Sequence, residues 1–247
     1  RGVDIRELFL VPPDEVEDYI QSPTNSRLGR AFVALDRLLQ RIEPHSPRWL
    51  RQRAVKAADD FIDARRNGED GLGGIFPAMA NAVMAMQAAG VARTDPAFLL
   101  ARAAIEKLVV DDGEQAFCQP CLSPVWDTAL AMHALMEAGE PGGGATIRAA
   151  CDWLLHREVR EARGDWTSRR PRLAPGGWAF QYANEFYPDV DDTAAVGLAL
   201  HRADPERYRP VLERTARWII GMQSRSGGWG AFDADNTHYF LNAIPFA

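Results

Sequence analysis

Three carboxylates fall within four positions of the stretch Tyr187-Pro188-Asp189-Val190-Asp191-Asp192-Thr193-Ala194. Pro188 suits the entry to a helix, and the Ala-rich run that follows is helical in pattern. Asp189, Asp191 and Asp192 therefore crowd one helix N-terminus. Capping and the helix dipole account for one or two acids there. They account poorly for three, because the charges repel one another. Crowded, partly buried carboxylates resist ionising together, so one keeps its proton, and the helix N-terminus stabilises the charge left after donation. Such a group can protonate a very weak base, such as an unactivated alkene. Clustered carboxylates also suit a hard cation, so a Mg²⁺ site stays open as a second reading.

Aromatic residues surround the acids. Trp166, Trp178, Phe180, Tyr182, Phe186 and Tyr187 lie upstream, with Trp218, Trp229 and Phe232 downstream. Most are expected in the core, but those facing a cavity could stabilise carbocations through their ring quadrupoles. The remaining motifs are weaker. Cys118-Gln119-Pro120-Cys121 has the spacing of half a zinc site without a second pair, which favours a structural role. Asp233-Ala234-Asp235-Asn236 opens like a calcium loop but lacks its Gly and closing Glu. Gly142-Gly143-Gly144 follows a helix, so it is a loop and not a phosphate cradle. His133 reads as a packed histidine, and no nucleophile elbow or zinc-protease motif is present.

The elements that must position these groups are helices. Arg30 to Ile42 places Phe32, Leu35, Leu38, Leu39 and Ile42 on one face. Ala80 to Ala89, Thr128 to Ala138 and Thr193 to His201 also read as helices, whereas strand signals are almost absent. Small-residue helices end at Ala89-Gly90 and Ala138-Gly139, each followed by a polar loop and a further helix. Helix pairs recurring about every 50 residues imply an α-solenoid or a closed α/α-barrel, and periodicity does not choose between them. Between helices lie Gly71-Leu72-Gly73-Gly74, Gly164-Asp165-Trp166, Gly176-Gly177-Trp178 and Gly227-Gly228-Trp229, which read as tight turns packed by an aromatic.

The 247 residues, 47% hydrophobic and 25% charged, can bury the core of one large domain or two modest ones. A net charge of −6 without a basic stripe argues against a nucleic-acid partner. Three cysteines make a poor disulfide framework and favour a reducing, cytoplasmic compartment. No apolar run approaches the roughly 18 residues needed to span a bilayer, and no signal peptide is visible. Both ends read as cut, so the chain is expected to be an internal fragment.

The motifs together resemble squalene–hopene cyclases, specifically those of bacterial hopanoid producers. Asp189-Val190-Asp191-Asp192-Thr193-Ala194 is similar to the family's acid motif. Arg217-Trp218-Ile219-Ile220-Gly221-Met222-Gln223 through Gly227-Gly228-Trp229 resembles its Gln-Trp repeat. Gly71 to Asn81, Cys118 to Thr128 and Gly228 to Asn236 extend the likeness over most of the chain, in the family's order. The resemblance implies an all-α fold of two α/α-barrels, one inserted into the other, with an apolar cavity between them. Residues 1–120 would belong to the inserted barrel and residues 121–247 to the barrel carrying the acid. It implies cyclisation of squalene to hopene, with some hopanol when water captures the final cation, and neither a metal nor an organic cofactor. The implied partners are squalene, the cytoplasmic face of a bacterial membrane held in a monotopic or peripheral manner, and a second copy in a homodimer.

Roles carry over by position. Asp191 matches the proton donor, and Asp189 and Asp192 the flanking carboxylates that strengthen it. Phe180 matches a cation-stabilising aromatic, Trp126 a substrate-contacting tryptophan, and Tyr187 joins them on the substrate side. Phe232 stands where some members have Tyr, keeping the ring without the hydroxyl. Phe246 matches part of the entrance-channel constriction. The family's assisting His and its later-ring aromatics lie outside these residues, so the 247-residue piece alone is expected not to turn over. Three rivals remain. A class II diterpene cyclase would need a basic diphosphate site, and an oxidosqualene cyclase would carry a different acid motif. An α-solenoid binding module would expose three ionised aspartates.

Overall fold

The computed structural model describes residues 10–12, 15, 20–66, 68–182 and 184–245. By compactness the chain divides into Arg1–Lys56 with Thr237–Ala247, and Ala57–Asn236. In the first unit, helix α1 (Arg27–Ile42) starts at Ser26, whose hydroxyl accepts from Gly29 N–H at 2.9 Å, the arrangement expected of a serine N-cap. A 3₁₀ turn at Tyr239–Ala243 packs against α1. The amphipathic face read from the sequence is present, but Leu35, Leu38, Leu39 and Ile42 each stand about half exposed. Helix α2 (Arg48–Asp63) runs from this unit into the next.

The second unit is built from helix pairs. These are α3 (Phe76–Ala88) with α4 (Pro96–Glu106), α5 (Pro124–Glu137) with α6 (Ala145–Leu155), and α7 (Val190–Ala203) with α8 (Arg209–Gly221). Helix α7 packs on α5, α6 and α8. Helical spacing dictates the core. Val125, Ala129 and Met132 of α5 meet Ile147, Cys151 and Leu154 of α6 and Val196, Ala199 and Leu200 of α7, each set following the i, i+3/i+4 rows of one face. Met79, Ala104 and Leu108 form a smaller cluster under α3 and α4. The architecture is therefore mostly helical, as the sequence implies. Among the described residues no helix is long and apolar enough to cross a membrane.

The Ala-Gly helix ends are Schellman stops. Gly90 (φ 81°) donates to Gln87 O and Val91 to Met86 O, at 3.1 and 3.0 Å. Gly139 (φ 102°) and Glu140 repeat the pattern on Met136 and Leu135, at 3.3 and 3.0 Å. The left-handed residue at such a stop favours glycine, which is why these ends are legible in the sequence. The helix starts lie earlier than periodicity alone suggests, because Pro77 and Pro124 occupy the first turns of α3 and α5 and tolerate the unbonded N–H positions there.

Among the described residues four short strands accompany the helices, in keeping with the near absence of strand signals. β1 (Val109–Asp111) pairs antiparallel with β2 (Ala116–Cys118), and β3 (Trp178–Ala179) with β4 (Pro188–Asp189). In the second pair Trp178 faces Asp189 and Ala179 faces Pro188. Pro188 therefore lies in a strand, and the helix start falls to Asp189 as cap. Two residues are too few to show a period-two pattern. This hairpin ties the acid motif to the core, because Trp178 is fully buried and its indole N–H donates to Leu154 O at 2.7 Å.

Two glycines permit this folding. Gly164 has φ 103°, and a Cβ there would lie 2.0 Å from the carbonyl oxygen of Phe186. At Gly177 a Cβ would lie 2.9 Å from Thr193 Oγ1 and 3.1 Å from the Trp218 ring, so only a residue without a side chain lets these elements approach. The Gly-x-Trp and Gly-Gly-Trp turns differ in packing. Trp166 and Trp178 are buried, with Trp166 edge-on to Trp218 at 6.0 Å. Trp229 is half exposed and donates to Ile219 O at 2.7 Å.

Candidate active site

The acid motif is fixed from three sides. Asp189 leaves β4 in an extended conformation and caps α7, its carboxylate accepting from Asp192 N–H at 2.7 Å. Val190 N–H donates to Ala231 O at 2.9 Å, which brings the Gly228 to Phe232 turn against the motif. Thr193 Oγ1 accepts from Trp178 N–H at 2.9 Å. The cap and both acids of the first helical turn therefore face the positive end of α7.

The three aspartates are not equivalent. Asp189 and Asp192 are buried, at 4% and 3% exposure, whereas Asp191 is exposed. Burial pushes the Asp189 carboxyl above its ordinary range. Burial first, and then the adjacent Asp189, push Asp192 up to about 8, with the Asp191 and Asp127 carboxylates adding to the effect. Asp192 Oδ1 is buried with no hydrogen-bond partner among the described residues, a poor setting for a full negative charge. A buried pair in contact that shares one proton fits this arrangement. The Mg²⁺ reading fares worse. Among the described residues no group of three or more His, Cys, Asp or Glu side chains is disposed to hold a metal ion.

All three aspartates line a cavity of about 640 Å³ within the second unit. Trp126 of α5, Phe180 beyond β3, Tyr187 and Phe232 form aromatic parts of its wall. Tyr187 and Phe232 meet edge to face, with centroids 6.4 Å apart. Phe61, Ile62, Leu72, Ile75 and Ala78 extend the apolar lining. The structure thus gathers Asp189, Asp191, Asp192, Trp126, Phe180, Tyr187 and Phe232 around one space. Phe246 lies outside the described residues.

Sequence reasoning missed two polar members of this wall, Arg65 and Asn184. Asn184 is 7% exposed, and its carbonyl accepts from Tyr187 N–H at 2.9 Å. Arg65 lies in the turn just after α2 and donates to Tyr187 Oη across 122 positions of chain, at 2.7 Å. No local pattern announces a partner so distant.

Helix pairs, three aspartates at the start of α7 and an aromatic-walled cavity thus meet in one unit. Residues 1–114 match the squalene-hopene cyclase N-terminal domain and residues 122–247 match the squalene-hopene cyclase C-terminal domain. The chain belongs to the squalene–hopene cyclase family. It is 45% identical over its whole length to the squalene–hopene cyclase of Zymomonas mobilis. It is 47% identical, again over its whole length, to the probable squalene–hopene cyclase of Sinorhizobium fredii. In both comparisons it covers 39% of the relative, so it spans about two fifths of the length of these curated relatives. The enfumafungin synthase of Hormonema carpetanum is 36% identical over 88% of this chain, which covers 16% of that relative.

Proposed function

We propose that the polypeptide containing this chain cyclises squalene to hopene, with some hopanol, by proton transfer from Asp191. The observation that carries this reading is the split triad on the cavity wall, with two aspartates buried and one exposed. Asp191 delivers its proton to a terminal double bond, and the carbocation formed is held by the faces of Trp126, Phe180, Tyr187 and Phe232. A ring face attracts a nearby cation by about 0.5–2 kcal/mol, more as water is excluded. Ring closures then move the charge along the chain. Loss of a proton gives hopene and capture by water gives hopanol.

The buried pair supports this role. An Asp192 held protonated by burial and by the adjacent Asp189 removes one of the two neighbouring charges that would oppose the carboxylate formed on Asp191. The positive end of α7 offsets that carboxylate further. An acidic binding patch would need all three aspartates exposed and ionised, and two of them are buried. No metal or organic cofactor enters this mechanism, and the division near residue 120 into two barrels remains part of the same proposal. The reading is tested by supplying squalene to the complete polypeptide and analysing extracts by gas chromatography–mass spectrometry. Hopene in the extract supports it, and a folded protein that yields no cyclised product overturns it.

A water-insoluble substrate is most readily taken from lipid, which supports attachment to the cytoplasmic membrane face, on which two copies would form a homodimer. The half-exposed Leu35, Leu38, Leu39 and Ile42 row of α1 offers an apolar face of the kind that lies in a lipid interface. The complete polypeptide is expected to float with phospholipid vesicles, and Leu38→Glu/Leu39→Glu to reduce the bound fraction. Full recovery of the parent in the vesicle-free supernatant would contradict attachment.

A further inference from the structure

Arg65 is the one arginine lining the cavity among the described residues, and a free cation there would oppose a carbocation. Its charge is engaged elsewhere. The guanidinium donates to Asp165 Oδ1 at 3.1 Å and to Phe61 O at 3.1 Å. It lies 3.4 Å from the Phe61 ring centroid and 5.0 Å from that of Phe186. Its side chain is 13% exposed, whereas that of Asp165 is 56% exposed, so the ion pair is open to solvent on the Asp165 side only. The third guanidinium nitrogen, Nε, donates to Tyr187 Oη at 2.7 Å. Tyr187 is two residues before Asp189, and its ring meets Phe232 at an interplanar angle of 85°.

These contacts form a chain of restraint. It runs from the turn just after α2, through the planar guanidinium, to the phenol that precedes the acid motif, and on to Phe232 in the turn whose Ala231 carbonyl accepts from Val190. We propose that Arg65 is a positioning residue for the aromatic wall: paired with Asp165, it holds Tyr187 by the hydroxyl so that the Tyr187 and Phe232 rings keep one orientation beside the acid triad. The proposal rests on the cyclase reading above. Its physical basis is that a planar guanidinium fork fixes direction as well as charge, and that ring–cation attraction depends on the face presented. Phe at 232 has no hydroxyl to anchor, so its orientation depends on packing against the tethered Tyr187.

The test compares the complete polypeptide with Arg65→Met, Tyr187→Phe and the double variant, reading product distribution and the split between kcat and KM. Each single variant is expected to raise the share of incompletely cyclised product about threefold or more, with the double variant no worse than Arg65→Met, since residues acting through one contact are non-additive. A product distribution and kcat unchanged while only Tm falls would overturn the proposal, as would effects that multiply independently. A second readout does not need turnover. A 3-fluorotyrosine placed at 187 is expected to give a fluorine resonance that shifts and narrows by motional averaging in Arg65→Met. An unchanged resonance would also overturn it. If the parent forms no cyclised squalene, the cyclase reading fails while the fluorine resonance still decides whether Arg65 holds the ring.

Discussion

Asp191→Asn in the complete polypeptide is expected to lower squalene turnover by about 10²–10⁴-fold, the range supplied by a positioned general acid. The amide matches the carboxyl in size and can still donate a hydrogen bond, but it has no proton acidic enough to transfer to an alkene. Asp191 is exposed on the first turn of α7, while Asp189 makes the cap and Thr193 makes the contact with Trp178. The substitution therefore leaves the helix start and the hairpin in place, and loss of rate should come without loss of fold. Initial rates of product formation beside a circular-dichroism melt separate the two. A fall of less than about tenfold would move the acid role away from Asp191.

Asp192→Asn is expected to change how stability depends on pH. The ordinary value of an aspartate is 3.8, and the folded protein holds Asp192 at about 8. Between these values the unfolded chain has released this proton and the folded chain retains it. Folding therefore becomes less favourable as pH rises from about 4 to about 8. An asparagine stays neutral throughout, so the variant should be no more stable than the parent at pH 4 and clearly more stable at pH 8. Asp112 and Asp235 act in the opposite sense, because backbone N–H donors hold both below 3.8. Their stabilisation is present above that value and is lost as pH falls through their lower folded values, outside the window in which Asp192 operates. Chemical denaturation of parent and variant at a series of pH values measures the difference. A parent whose advantage over the variant grows from pH 4 to pH 8 would contradict the burial of a neutral Asp192.

Much of this site was legible because its signals are local. Three aspartates at a helix start, the Ala-Gly stops and the small-residue runs of α5 and α7 are each contained within about fourteen residues. What was not legible depends on distant pairing. The β3–β4 hairpin joins two-residue strands that carry no alternation, and it is held by Trp178, whose partner Leu154 lies 24 positions away. Arg65 is separated from Asp165 by 100 positions and from Tyr187 by 122, so no local pattern points to it. The inequality of the three acids was also hidden. Their spacing predicts crowding, but not that Asp189 and Asp192 are buried while Asp191 is exposed. The α1 face shows the converse: its periodicity correctly predicts a helix, yet not whether the apolar row is covered.

Proton donation by Asp191 is tested most directly by running the complete polypeptide with squalene in deuterium oxide and reading the product by mass spectrometry. Protonation of a terminal alkene by an exchanged Asp191 adds one deuteron, and loss of a light proton from a substrate methyl group at the end of the cascade leaves that deuteron in the product. The parent is expected to give hopene carrying one deuterium, and Asp191→Asn almost no product. Cyclised product without deuterium, or labelled product formed equally well by Asp191→Asn, would contradict donation by Asp191.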